Sequence, residues 1–298
     1  MKVRLGISTC PNDTFAFFPL LEGRIDTGGL ELDICLLDVQ ELNERLRAGR
    51  LDAGKASFFA ALRMADRFAV FESGAALGFG NGPLLLSRGL GRADGVARGE
   101  RATPPRSDSV VLCPGEDTTA HLLYRLFYPG VGVVRQVVFS EIAPALQEGR
   151  ADYGVCIHEG RFTYLQQGLG MVEDLGQRWE LETGSPLPLG GILGSLALER
   201  PVLMELGALL SRSVTYALAH RQEALPIMQR YAQELEPAVI WAHVDLYVNR
   251  WTLALGETGR GALGTLADRA AGAGLIPPGT RLQVVPLLQS IQSAGSRA

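Results

Sequence analysis

The run Tyr153-Gly154-Val155-Cys156-Ile157 leads straight into His158, and Glu159-Gly160-Arg161-Phe162 follows. Small and apolar residues bounded in this way predict a short buried strand that ends in a turn. In an open α/β sheet, ligands gather beyond the C-terminal ends of the strands. A histidine placed there can take or give a proton near neutral pH. The plainer alternative is a loop or core histidine held by a hydrogen bond.

Three further clusters belong with it. Asn12-Asp13-Thr14 and Asp117-Thr118-Thr119 each stand between a predicted strand and a predicted helix. The first N–H groups of a helix have no partner inside it and attract anions, and threonine hydroxyls add donors. Thr118 and Thr119 are therefore candidates to hold a carboxylate, the alternative being that they only cap the helix. Lys55-Ala56-Ser57 ends another short apolar run. Lys55 can pair a substrate anion or be solvated at a strand end. Ser57 can bond the ligand or cap the helix that starts at Phe58. His121 falls in the first turns after Thr119, where it can approach the cleft, the alternative and expected reading being an ordinary helix-surface role. His220 and His243 read as ordinary residues of a helical C-terminal region.

Other chemistry is not signalled. No G-x-S-x-G, Walker A, H-E-x-x-H or dinucleotide-binding glycine pattern occurs, so no nucleotide cofactor, catalytic metal or serine nucleophile is expected. Cys10, Cys35, Cys113 and Cys156 lack metal-ligand spacing and fit reduced, buried thiols. The net charge is −4 with no long basic run, so no nucleic-acid partner is expected. The first eight residues already read as a strand, and no signal peptide is expected. Nor does any apolar run reach the ~18 residues of a membrane span. A cytoplasmic protein with a small anionic substrate is the expectation, its oligomeric state left open.

The elements that must position these residues follow an α/β alternation. Strands are predicted at Val3–Ser8, Leu30–Val39, Asp52–Ser57, Phe68–Leu77 and Pro83–Ser87. Helices fall between, the first from Phe15 to Leu21 with Asp13 or Thr14 as its cap. Residues 89–108 are rich in Gly, Arg, Asp and Pro without period and predict a mobile loop or linker. After it the order restarts: strand Ser109–Cys113, helix Thr118–Tyr128, strand Val133–Phe139, helix Ile142–Glu148, strand Ala151–His158. Leu46, Gly49, Arg50, Asp52 and Gly54 recur as Leu146, Gly149, Arg150, Asp152 and Gly154, a hundred residues on. Cys10-Pro11-Asn12-Asp13-Thr14 is likewise matched by Cys113-Pro114-Gly115-Glu116-Asp117-Thr118. Two anchors in the same order predict two related lobes. The expected division is 1–88 with 190–298 as the larger lobe and 109–188 as the smaller, joined by two hinge crossings around a cleft.

Ser8-Thr9-Cys10-Pro11-Asn12-Asp13-Thr14-Phe15, Lys55-Ala56-Ser57, Asp117-Thr118-Thr119-Ala120 and Ile157-His158-Glu159-Gly160-Arg161-Phe162-Thr163-Tyr164 together resemble the 1,4-dihydroxy-6-naphthoate synthases. These are menaquinone-biosynthesis enzymes of the futalosine pathway, and the resemblance runs over essentially the whole chain. It implies a two-lobed fold like the type 2 periplasmic binding proteins, with a central cleft. It implies a cofactor-free lyase that converts cyclic dehypoxanthinylfutalosine to 1,4-dihydroxy-6-naphthoate and dihydroxyacetone. By match to the motifs, His158 would accept a proton, with Lys55, Ala56, Ser57, Thr118 and Thr119 contacting the substrate. Two alternatives share the fold: a chorismate dehydratase of the same pathway, and a solute-binding protein for an anionic metabolite.

Overall fold

The computed structural model describes residues 2–88, 103–158, 160–232 and 236–287. Strand β1 (Lys2–Ser8) buries Val3, Leu5 and Ile7 and leads directly into α1 (Pro11–Leu21). This helix starts earlier than its apolar residues suggest. Cys10 is the N-cap and Pro11 the first helical residue, where a missing N–H costs nothing. Asn12, Asp13 and Thr14 consequently lie in the first turn rather than ahead of it.

The chain continues through β2 (Glu31–Leu37), α2 (Val39–Arg47), β3 (Ala53–Ser57), α3 (Phe58–Arg63), β4 (Phe68–Phe71), β5 (Ala76–Gly78) and β6 (Leu84–Arg88). It then forms β7 (Val110–Cys113), α4 (Thr119–Phe127), β8 (Val133–Gln136), α5 (Ile142–Gln147), β9 (Tyr153–Cys156), α6 (Gly160–Thr163), β10 (Leu169–Asp174) and α7 (Leu175–Thr183). Strand β11 (Leu187–Ser195) returns, followed by α8 (Arg200–Ala219), α9 (Leu225–Tyr231), α10 (Pro237–Tyr247), α11 (Arg250–Leu253), α12 (Gly256–Gly272) and β12 (Val284–Val285).

Two sheets result. The larger runs β12-β4-β11-β3-β1-β2 with β5 paired to β11, and the smaller runs β10-β6-β9-β7-β8. In both, the first strand lies between two parallel neighbours, β2 and β3 in one and β8 and β9 in the other. In both, an antiparallel strand flanks the third, β11 beside β3 and β6 beside β9. The hundred-residue repeat follows from this shared topology. Gly49 and Gly149 take left-handed φ values of 66° and 73° after their helices, a conformation glycine adopts without strain. The carboxylates of Asp52 and Asp152 then accept the backbone N–H of Arg4 and of Val110 in the neighbouring strand, at 2.9 and 2.8 Å.

The division of the chain differs from expectation at β6. Leu84–Ser87 pair with Tyr153–Cys156, so these residues belong to the smaller sheet although they precede the expected boundary at 88. The three leucines of β6 are buried on both faces of the sheet, Leu84 and Leu86 in one hydrophobic cluster and Leu85 in another, while β9 and β10 pair both edges of the strand. The expected mobile loop at 89–108 lies outside the described residues as far as 102. Of the remainder, Thr103 accepts a hydrogen bond from Tyr153 Oη at 2.9 Å.

Helix α8 is, by length and composition, apolar enough to cross a membrane, although Glu205 and Arg212 interrupt its apolar run. Its inner face, Leu203, Leu206, Leu210 and Val214, instead packs with Phe17 and Leu20 of α1 and Phe71 of β4. Ser213 Oγ donates to Ala16 O at 2.9 Å, and Glu205 and Arg212 stay on the outer side. That is the pattern of an amphipathic core helix.

Candidate active site

The cleft lies where the two sheets present the ends of β1, β3 and β9 and the start of α4 to each other. His158 stands two residues beyond β9 and is the one non-glycine residue with positive φ (56°) among the described residues. A non-glycine residue held there is strained, and such strain concentrates at functional sites. Its ring reaches the opposite lobe: Cys10 Sγ, at the N-cap of α1, lies 3.3 Å from Nδ1 and 3.6 Å from Nε2. Phe139 meets the ring edge-on with centroids 4.8 Å apart, fixing the imidazole plane. Glu159 lies outside the described residues.

Lys55 and Ser57 line the same cleft, and Ala56 does not. Side chains alternate across a strand, so the two polar residues of β3 share one face. Ala56 points its methyl into the hydrophobic core, fully buried, which leaves it no side-chain contact with a ligand. Lys55 is not a free cation at a strand end. It is 5% exposed, and its ammonium donates to Asp13 Oδ1 at 2.6 Å. Asp13 also accepts from Ser8 Oγ at 2.6 Å and from Asn12 Nδ2 at 3.0 Å. The carboxylate thus closes a buried network rather than capping α1. Ser57 is the N-cap residue of α3, but its side chain makes no capping bond. Its N–H instead donates to Asn43 Oδ1 at 3.0 Å, and its hydroxyl accepts from Asn43 Nδ2 at 3.4 Å.

On the smaller lobe, Thr118 caps α4. Its Oγ accepts from the His121 N–H at 3.2 Å and donates to Gly115 O at 2.8 Å. Thr119 Oγ donates to Leu189 O of β11 at 2.8 Å, tying α4 to the larger sheet. Both threonines and Ala120 line the cleft, so the unpaired N–H groups of the first turn of α4 open toward it. Asp117, 1% exposed, pairs with Arg63 at 2.6 Å and with Arg47, both from the larger lobe. These ion pairs hold the lobes together beside the cap.

The histidines sort differently from the sequence reading. His121 is buried with Nδ1–H donating to Glu116 O at 2.8 Å and does not line the cleft. Burial pushes its pKa down, against the opposing pull of that carbonyl. His220 sits on the surface against Tyr216, with Nδ1 on its carbonyl. His243, read from sequence as an ordinary helix residue, lines the cleft. It is 1% exposed on α10, with Nε2 3.0 Å from Asn12 Oδ1 and Tyr247 4.4 Å from its ring. Burial, then the nearby His158 and Lys55, pushes its pKa well below the ordinary histidine value. The available signal was the buried spacing Ile240, His243, Val244, Tyr247 on an otherwise apolar helix.

The arrangement offers two cleft imidazoles, His243 held toward its neutral form by burial, with helix N–H donors for an anion and a walled cleft between lobes. Comparison with known proteins gives a consistent picture. The family described as "Menaquinone biosynthesis" matches residues 3–272. A Thermus thermophilus protein named 1,4-dihydroxy-6-naphtoate synthase is 42% identical over 280 residues, 94% of this chain and 97% of that protein. A Streptomyces coelicolor protein of the same name is 39% identical over 280 residues, covering 92% and 95%. Among solved structures, a protein from Archaeoglobus fulgidus superposes with a TM-score of 0.83 at 26% identity, covering 92% of this chain and 98% of its own. The periplasmic aliphatic sulphonate binding protein of Escherichia coli superposes at 0.59 with 15% identity, over 100% of this chain and 95% of its own, a likeness of fold alone.

Proposed function

From the membership of this chain in the menaquinone-biosynthesis family, we infer that it is a lyase, a 1,4-dihydroxy-6-naphthoate synthase. It cleaves cyclic dehypoxanthinylfutalosine to 1,4-dihydroxy-6-naphthoate and dihydroxyacetone. The observation that carries the assignment of roles is His158, a strained histidine at a strand end whose ring lies in the cleft against the facing lobe. His158 takes the proton that starts carbon–carbon cleavage, and formation of the aromatic ring drives the step. The substrate carboxylate sits at the start of α4, on N–H groups next to Thr118 and Thr119, where helix ends favour anions. Lys55 and Ser57 contact the substrate from the other side, Lys55 with the donor that Asp13 and the Gly74 carbonyl leave it. A positioned base contributes about 10²–10⁴-fold, and closure of the lobes holds the reacting groups while excluding water. A cytoplasmic site of action belongs to the same reading, supported by four cysteines outside any disulfide.

Incubation with cyclic dehypoxanthinylfutalosine and, separately, with chorismate, followed by identification of products by mass, tests the reading. Release of the naphthoate and dihydroxyacetone from the first substrate only is the expected result. Dehydration of chorismate, or tight binding without turnover of either, would overturn it.

A further inference from the structure

The hydrogen bonds around Asn12 determine which nitrogen of His243 carries a proton. Asp13 accepts from Lys55 Nζ and from Asn12 Nδ2. A carboxylate in that position fixes the orientation of the Asn12 amide, with its nitrogen toward Asp13 and its oxygen toward His243. An amide oxygen only accepts, so His243 Nε2 must donate to it. A neutral imidazole has a single N–H, so Nδ1 is a bare lone pair. This Nδ1 is buried and has no hydrogen-bond partner among the described residues. Buried acceptors are almost always satisfied, and an exception calls for an explanation. The ring lines the cleft, nearly parallel to His158 at 6.3 Å between centroids. Lys55 and Asp13 lie behind Asn12, with Tyr247 and Phe162 against the ring itself. Its depressed pKa, caused first by burial, is consistent with an imidazole that waits neutral.

We propose that His243 is a second catalytic residue of the cleft, whose bare Nδ1 accepts a hydrogen bond from a substrate hydroxyl and then its proton. The proposal rests on the lyase reading above and extends it. Cleavage of one molecule into two with no co-reactant must return every proton it removes. In the bond-breaking step, the hydroxyl proton passes to Nδ1 and the O–H pair becomes the new C=O. The carbon–carbon pair leaves with the departing fragment as its enediolate. That carbon then takes the proton back from Nδ1, giving dihydroxyacetone and restoring neutral His243. The proton handled by His158 is taken and returned in a separate step. Two facing imidazoles repel when both are charged, so the steps alternate. Lys55, Asp13 and Asn12 act through His243 as positioning residues, holding Nε2–H and keeping Nδ1 free.

The test uses the full-length protein. His243→Phe keeps the ring shape and removes the acceptor. We expect kcat to fall about 10²-fold or more, while the 1,4-dihydroxy-6-naphthoate product still binds within a few-fold of wild type. Asn12→Asp retains an acceptor for Nε2–H and should turn over faster than Asn12→Leu, which releases the tautomer. Independently, ¹⁵N NMR of histidine-labelled wild type should show the His243 ring, assigned as the signals lost in His243→Phe, protonated at Nε2 and bare at Nδ1, with its Nδ1 signal shifting when product binds. A His243→Phe enzyme with near wild-type kcat would overturn the proposal, and so would an Nδ1–H tautomer at His243 itself. Failure of the wild type to cleave the substrate at all would instead count against the lyase reading.

Discussion

His158 and His243 face each other across the cleft with ring centroids 6.3 Å apart and planes 25° from parallel. One comes from the end of β9 in the smaller sheet and the other from α10, packed on α1 of the larger lobe. Neither position is close to the other in sequence, so the pair exists only when both lobes are folded. The same lobe contact holds Cys10 against His158 and Asp117 between Arg47 and Arg63.

Acid should destabilise the fold through its buried histidines. His243 and His121 have pKa values lowered in the folded protein, each first by burial. Unfolded, each titrates near ~6.5. Below that pH the unfolded chain binds more protons than the native one, so stability falls as pH falls. Above it, the contribution is fully present. Thermal melting followed from pH 8 to pH 5 should show Tm declining below about 6.5, with a shallower decline in His243→Phe. Equal slopes in the two proteins would mean that His243 is not held neutral.

Lys55 should behave as a structural partner as much as a substrate contact. Its pair with Asp13 has side-chain exposures of 6% and 3%. Removing one member of a buried ion pair strands the other charge and costs about 3–5 kcal/mol. Lys55→Met should lose stability of that order in urea denaturation. A raised KM with unchanged stability would instead make Lys55 a ligand residue only.

What the sequence revealed, and what it hid, follows from range. Gly49 and Gly149 end helices in a left-handed turn, and Asp52 and Asp152 bond the next strand, so each repeats as a local necessity. The strand leading to His158 is legible for the same reason, being a short apolar run closed by a turn. The partners of Lys55 and His243 are not. Asp13 lies 42 residues from Lys55, and Asn12 lies 231 residues from His243. No periodicity encodes such meetings. Pro11 shows a further limit: apolar spacing points to Phe15 as the helix start, whereas proline chemistry places it at Pro11. For β6, the leucine run announces a buried strand without saying which sheet buries it.

Thr118 separates capping from binding. Its hydroxyl is already engaged with the His121 N–H and Gly115 O. Thr118→Val should therefore cost about 0.5–2 kcal/mol of stability, the usual worth of an N-cap. The backbone donors of α4 remain, so KM should rise only modestly. A large rise in KM at unchanged Tm would show that the hydroxyl itself holds the substrate.

The central claim is that His158 accepts the proton that starts cleavage, and His158→Asn tests it most directly. Asparagine tolerates the left-handed backbone at this position better than most residues, so the fold and the cleft should survive. The measurement is kcat for conversion of cyclic dehypoxanthinylfutalosine, with product followed by mass and naphthoate binding measured alongside. The account predicts a loss of about 10²–10⁴-fold in kcat, with naphthoate binding retained and melting unchanged. Turnover within a few-fold of wild type would contradict it.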